Sequence, residues 1–211
     1  MLNALKWFAF CFTLLVVPFP NDANGKLTYT QNLIRVDITR LGGEWEGGEE
    51  IERICFLGPN FKSDHFEMLS HCAGLKWFSA FDVGSCDKVA LKHLFKIKSL
   101  QRIDVSNSGE LADGFEYLPA NTAKLKEVRI EASTLGTDAI LALQRVKSLS
   151  LLSLTLREIT VEQVDALVKM KQLKHLWIET KVPIDDSLLK HIESSLGTCE
   201  VLVTVVDHKA E

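Results

Sequence analysis

Residues 149–172 read LSLLSLTLREITVEQVDALVKMKQ, and the next block, from Leu173, opens the same way with LKHLWIET. Each begins Leu-x-x-Leu-x-[Leu/Ile], passes through a polar stretch and closes with apolar residues at helical spacing. The opening occurs six times: Ile51-Ile54-Phe56, Leu75-Phe78-Ala80, Leu100-Ile103-Val105, Leu125-Val128-Ile130, Leu149-Leu152-Leu154 and Leu173-Leu176-Ile178. The starts lie 24, 25, 25, 24 and 24 residues apart. A fixed period of this size constrains the fold more than any local propensity, because each block must be one supersecondary unit. A further apolar run, CEVLVTVV, starts at Cys199.

The second halves align as well. Phe61, Phe66, Leu69 and Cys72 follow Ile51; Leu135, Ile140, Leu143 and Val146 follow Leu125; Ile159, Val164, Leu167 and Met170 follow Leu149. With one inserted residue, Leu91, Leu94 and Ile97 follow Leu75. Steps of three or more fit one face of a short helix, while the alternating opening fits a strand. Each block therefore predicts a strand, a turn and a returning helix. One such block cannot bury its apolar face alone. Stacked blocks can, with each strand beside the next and each helix beside its neighbour. The expected class is α/β: a curved parallel sheet on the concave side, helices on the convex side.

On these six openings the chain resembles a leucine-rich repeat protein, with units similar to the ribonuclease-inhibitor-like and bacterial types. The resemblance covers residues 51–198 and implies a right-handed solenoid that recognises a protein partner on its concave face. The family often has Asn, Cys or Thr at the ninth position, bonded to neighbouring backbone. Here that position holds Pro59, Val83, Ser108, Ser133, Arg157 and Lys181, so no asparagine ladder is expected and the turns should differ between repeats.

A solenoid needs shielded ends. Residues 26–50 are read as an N-terminal cap, with Leu33–Ile38 as a strand that extends the sheet and Gly42-Gly43 and Gly47-Gly48 as turns. Residues 199–211 are read as a C-terminal edge strand and tail. The chain starts MLNALKWFAFCFTLLVVPFPNDANG, one lysine before an apolar run from Trp7 to Val17. That run is short for a bilayer span, and residues 1–25 have the form of a secretory signal peptide cleaved after Gly25. Export is expected, to a periplasmic, extracellular or cell-envelope location. A membrane contact would come only through this segment, were it kept as an anchor. The formal net charge is −4, and no basic stripe suggests a nucleic-acid partner.

No catalytic or phosphate-binding signature is present, and the six histidines show no recurring ligand spacing. The chain is read as a non-enzyme without cofactor or metal. After residue 25 the cysteines are Cys55, Cys72, Cys86 and Cys199. Strands lie about 4.8 Å apart and a disulfide needs Cα atoms within about 7 Å. No disulfide framework is expected, with Cys55–Cys86 the pair that this spacing leaves open.

The third, fifth and seventh residues of each opening alternate away from the core. The third row runs Arg53, Trp77, Arg102, Glu127, Leu151, His175; the fifth Cys55, Ser79, Asp104, Arg129, Ser153, Trp177; the seventh Leu57, Phe81, Ser106, Glu131, Thr155, Glu179. The candidate binding residues are Trp77, Phe81, Arg102, Asp104, Glu127, Arg129, Glu131, His175, Trp177 and Glu179. Cross-strand pairs Arg102–Glu127 and Asp104–Arg129 are expected, either as part of a binding face or as a ladder that keeps the sheet soluble. Trp77 and Phe81 are either available to a partner, as exposed aromatics at hot spots are, or covered by the cap through Trp45. The function expected is a non-catalytic protein-binding scaffold, the alternative a self-associating structural component of the cell envelope.

Overall fold

The computed structural model describes residues 29–83 and 86–206. The signal-peptide reading of residues 1–25 and the tail at 207–211 lie outside them. Within them the chain forms one eight-stranded sheet whose spatial order is the chain order. The strands are β1 Gly43–Glu46, β2 Arg53–Leu57, β3 Trp77–Phe81, β4 Arg102–Ser106, β5 Glu127–Glu131, β6 Leu151–Leu156, β7 His175–Thr180 and β8 Glu200–Val205. From β2 to β8 every neighbour is parallel. The register pairs equivalent repeat positions, so each row of the sequence becomes a row on the sheet. Parallel neighbours require a crossover, and each 24–26-residue period is long enough for one strand and one short helical return.

Those returns are α2 Phe66–Leu69, α3 Leu91–Leu94, a 3₁₀ helix over Gly109–Tyr117, α4 Thr137–Gln144, α5 Val161–Leu167 and α6 Asp186–Ser195. Their apolar residues meet the fourth and sixth strand residues in one core. Phe56 stacks on Phe61 at 3.7 Å, and Phe66 lies 5.6 Å from Phe78. Ile54, Phe78, Ile103, Val128, Leu152 and Leu176 are fully buried. Side-chain caps fix where the later helices start. Thr160 and Gln163 form a reciprocal capping box at α5, and the Asp185 carboxylate accepts from the Ser187 amide at α6, each satisfying amides that the first turn leaves open.

The expected strand at Leu33–Ile38 is not a strand. Tyr29–Arg40 is a helix, α1. The run LIRVDI alternates, but Ile34 and Ile38 are also four apart, and both are buried. Burial on the helical period prevailed because the edge of β2 is already taken by β1. Gly42, at φ +79, ends α1 in a left-handed conformation. The strand that extends the sheet is the later Gly43–Glu46, and it runs antiparallel to β2. That corrects the expectation that every strand points the same way.

The turns after the strands do vary. The eighth position has positive φ at Gly58, Asp82 and Asn107, residue types that tolerate the left-handed region. In the last two repeats Leu156 and Thr180 continue the strand instead. Polar ties between repeats sit just before the opening leucine. The Ser99 hydroxyl donates to the Ala73 and Leu75 carbonyls, Ser148 to those of Thr122 and Leu125, and the Gln172 amide to those of Gln144 and Val146.

Candidate functional site

The third, fifth and seventh residues of β2–β7 form the sheet face opposite the helical returns. Glu44 and Glu46 of β1 join it, since they pair with Cys55 and Arg53, whereas Trp45 pairs with buried Ile54. Trp45 therefore lies on the core side, with the Arg35 guanidinium 4.5 Å from its ring, and the covering of Trp77 and Phe81 by Trp45 does not occur.

Trp77 is held by other means. The Arg53 guanidinium lies 3.8 Å from its ring centroid and that of Arg102 4.0 Å. Register places Trp77 between Arg53 on β2 and Arg102 on β4, so two cations flank one ring, each attracted by its quadrupole. The indole N–H donates to Asp104 Oδ2 at 3.2 Å. Asp104 is only 5% exposed and takes three further contacts from Arg102 at 2.9–3.1 Å. A buried carboxylate needs this number of donors to offset lost hydration.

The cross-strand expectation is half met. Arg102 reaches Glu127 at 3.2 Å, as expected. Asp104 does not pair with Arg129: it turns to Arg102 on its own strand, and Arg129 turns to Glu127, also on its own strand, at 2.8 Å. Residues two apart on a strand share a face, and long arginine side chains reach along it as readily as across. Arg129 then lies 5.6 Å from the Trp177 ring. At the other end Arg53 reaches Glu46 at 3.1 Å. Glu46, Arg53, Trp77, Arg102, Asp104, Glu127, Arg129 and Trp177 thus form one continuous ladder from β1 to β7.

The remaining candidates lie off this ladder. His175 Nδ1 is 2.9 Å from Glu200 on β8. Glu131 accepts from the Ser106 hydroxyl. Phe81 lies beside Leu57, which is 57% exposed. Among the described residues, Glu131 and Glu179 form no ion pair. β8 lies beside Trp177 and does not fold over it, with Leu202 as its register partner, 54% exposed. The sequence reading passed over Glu46, Arg53 and Leu202 as participants. Arg53 was legible from its row, but Glu46 was not, because β1 lies outside the repeat. Among the described residues no group of three His, Cys, Asp or Glu side chains is arranged to hold a metal ion, and no helix is long and apolar enough to cross a membrane. Burial pushes the Cys72 thiol up to about 12 and, with nearby Asp87 adding to it, the Cys86 thiol up to about 11.

No protein-family model and no curated protein matches the chain. Solved structures that resemble it remotely include two internalins. An internalin (inlF) from Listeria monocytogenes is 16% identical at a TM-score of 0.44, over 68% of this chain and 40% of its own. The internalin C2 (inlC2) of the same organism is 12% identical at 0.46, over 85% and 86%. The chain thus spans less than half the length of the first. At that distance neither carries an argument about partner or activity, and the geometry of the face has to supply it.

Proposed function

We propose that the chain is a leucine-rich-repeat solenoid that is exported by its N-terminal segment and binds a protein partner, without catalysis, on the sheet face opposite the helices. The observation that carries the reading is the uninterrupted register of rows across β2–β8. It offers a broad ordered surface on which aromatic and arginine side chains, the types enriched at protein interfaces, recur. The test is capture of partner by the immobilised mature chain and by its Trp177→Ala and Arg129→Ala variants. Unchanged capture by both variants would remove the face from the proposal. Export is tested on the natural protein by N-terminal sequencing, where an intact Met1 start counts against it.

One observation favours a second reading, self-association as a structural cell-envelope component. On β8 the core-side Val201 and Val203 are only partly covered, and Leu202 and Val205 are exposed. An apolar edge strand is a template for pairing with another chain. Sedimentation over a range of concentrations separates the readings. A monomer throughout counts against the second.

A further inference from the structure

The three rows of the face differ in how far the protein has already used them. Third- and fifth-row arginines are committed: Arg53 to Glu46 and Trp77, Arg102 to Asp104, Glu127 and Trp77, Arg129 to Glu127. Trp77, the aromatic that the sequence marks as a contact, is closed on both faces by its own neighbours. Among the described residues, the seventh row forms no ion pair. Leu57 is exposed, Phe81 is partly so, and Glu131 has only the Ser106 hydroxyl.

The row has a direction, from apolar at Leu57 and Phe81, through Ser106, to an end that carries carboxylates at Glu131 and Glu179 with Thr155 between them. Lys181 follows Glu179 by two residues and Arg157 follows Thr155 by two, diluting the far end. Glu131 is followed by Ala132 and Ser133, and Arg129, two residues before it, is turned to Glu127, so Glu131 is the strongest acidic point. The whole face carries three arginines against the carboxylates of Glu44, Glu46, Asp104, Glu127, Glu131, Glu179 and Glu200. Its surplus is negative, and its cations are already paired. The row is also held in place from behind. The amides of Gly58, Asp82, Asn107 and Ala132 donate to the carbonyls of Phe81, Ser106, Glu131 and Thr155 at 2.9–3.0 Å, so little ordering is needed on binding.

We propose that the seventh row, Leu57, Phe81, Ser106, Glu131, Thr155 and Glu179, reads an extended basic segment of the protein partner, seating an apolar side chain on Leu57 and Phe81 and a lysine or arginine on Glu131. This deepens the scaffold reading and rests on it. A segment crossing the strands meets a new one every ~4.8 Å, and in the extended polyproline II conformation it advances ~3.1 Å per residue with every third side chain on one face. Phe81 on β3 and Glu131 on β5 are two strands apart, about 10 Å, which is three residues and one full turn of polyproline II chain. The recognised pattern is an apolar residue with a cation three positions away.

The test is selection from a random peptide library displayed on phage, run in parallel on the mature chain and on its Glu131→Lys and Phe81→Ser variants, with circular dichroism confirming that each variant folds. Both positions lie on the open face, away from the core. The expected result is enrichment of peptides with Lys or Arg three positions from a large apolar residue. Binding of the selected peptides should weaken about tenfold in Glu131→Lys and fall with added salt. Enrichment without a basic bias, the same peptides selected on Glu131→Lys, or no enrichment at all would overturn the inference. Partner capture that is lost in Trp177→Ala while the library selects nothing basic would sink the row and leave the scaffold reading standing.

Discussion

Arg102→Leu removes the hub of the ladder. Asp104 then keeps two of its donors, the Trp77 indole at 3.2 Å and the Ser79 hydroxyl at 3.4 Å, but loses its cation while remaining 5% exposed. Stripping one partner from a buried ion pair costs about 3–5 kcal/mol, and the surviving donors set this case at the lower end. Losing one guanidinium from the Trp77 ring adds about 0.5–1 kcal/mol. The exposed contact to Glu127 adds little. The expected total is about 3–4 kcal/mol, a large share of a domain's usual 5–15 kcal/mol. Adding Asp104→Asn removes the stranded charge while keeping an acceptor for the indole, so the double variant should recover at least half the loss. Urea unfolding followed by far-ultraviolet circular dichroism measures both, as shifts in midpoint at constant slope. A cost below about 1 kcal/mol for Arg102→Leu, or a double variant less stable than the single one, would refute the claim that Asp104 depends on Arg102.

Leu152→Ala, at a fully buried interior position, should cost about 2–5 kcal/mol. Leu202→Ala should cost far less, because Leu202 lies on the exposed side of the last strand, with Val203→Ala in between; denaturant unfolding ranks the three, and parity of Leu202 with Leu152 would mean that β8 locks the array. The thiols predict an alkaline limit. Below pH 9 Cys72 and Cys86 are protonated whether folded or not. Above it the unfolded chain releases protons that the folded chain holds until about 12 at Cys72 and about 11 at Cys86, so stability should fall with rising pH from about 9 upward. Melting temperatures across that window should fall less steeply in a Cys72→Ala, Cys86→Ala double variant, and an equal slope would contradict the burial argument. Asp82 sits at φ +53: Asp82→Gly should leave the melting temperature nearly unchanged, whereas Asp82→Val should cost about 1–2 kcal/mol, and equal effects would show that the left-handed turn is not needed.

What the sequence determined by itself was whatever repeats. A period of 24–26 residues locks register, so the strands, the buried first, fourth and sixth positions and the three facing rows could all be read before any coordinate. That the turns differ between repeats was legible too, but the left-handed conformation at Gly58, Asp82 and Asn107 came from the structure. What lies outside the period was ambiguous: LIRVDI satisfies both a two-residue and a four-residue alternation, and only the β1 strand at the sheet edge decided that Ile34 and Ile38 bury one side of a helix. Side-chain partnering on the open face was tertiary as well. Row order shows that Asp104 and Arg129 are neighbours. It does not show that Arg102 folds back along its own strand to reach a carboxylate buried beneath Trp77, because an arginine has several equivalent partners within reach. The choice among them depends on which carboxylate has lost its water, and burial of that kind exists only once the strands are side by side.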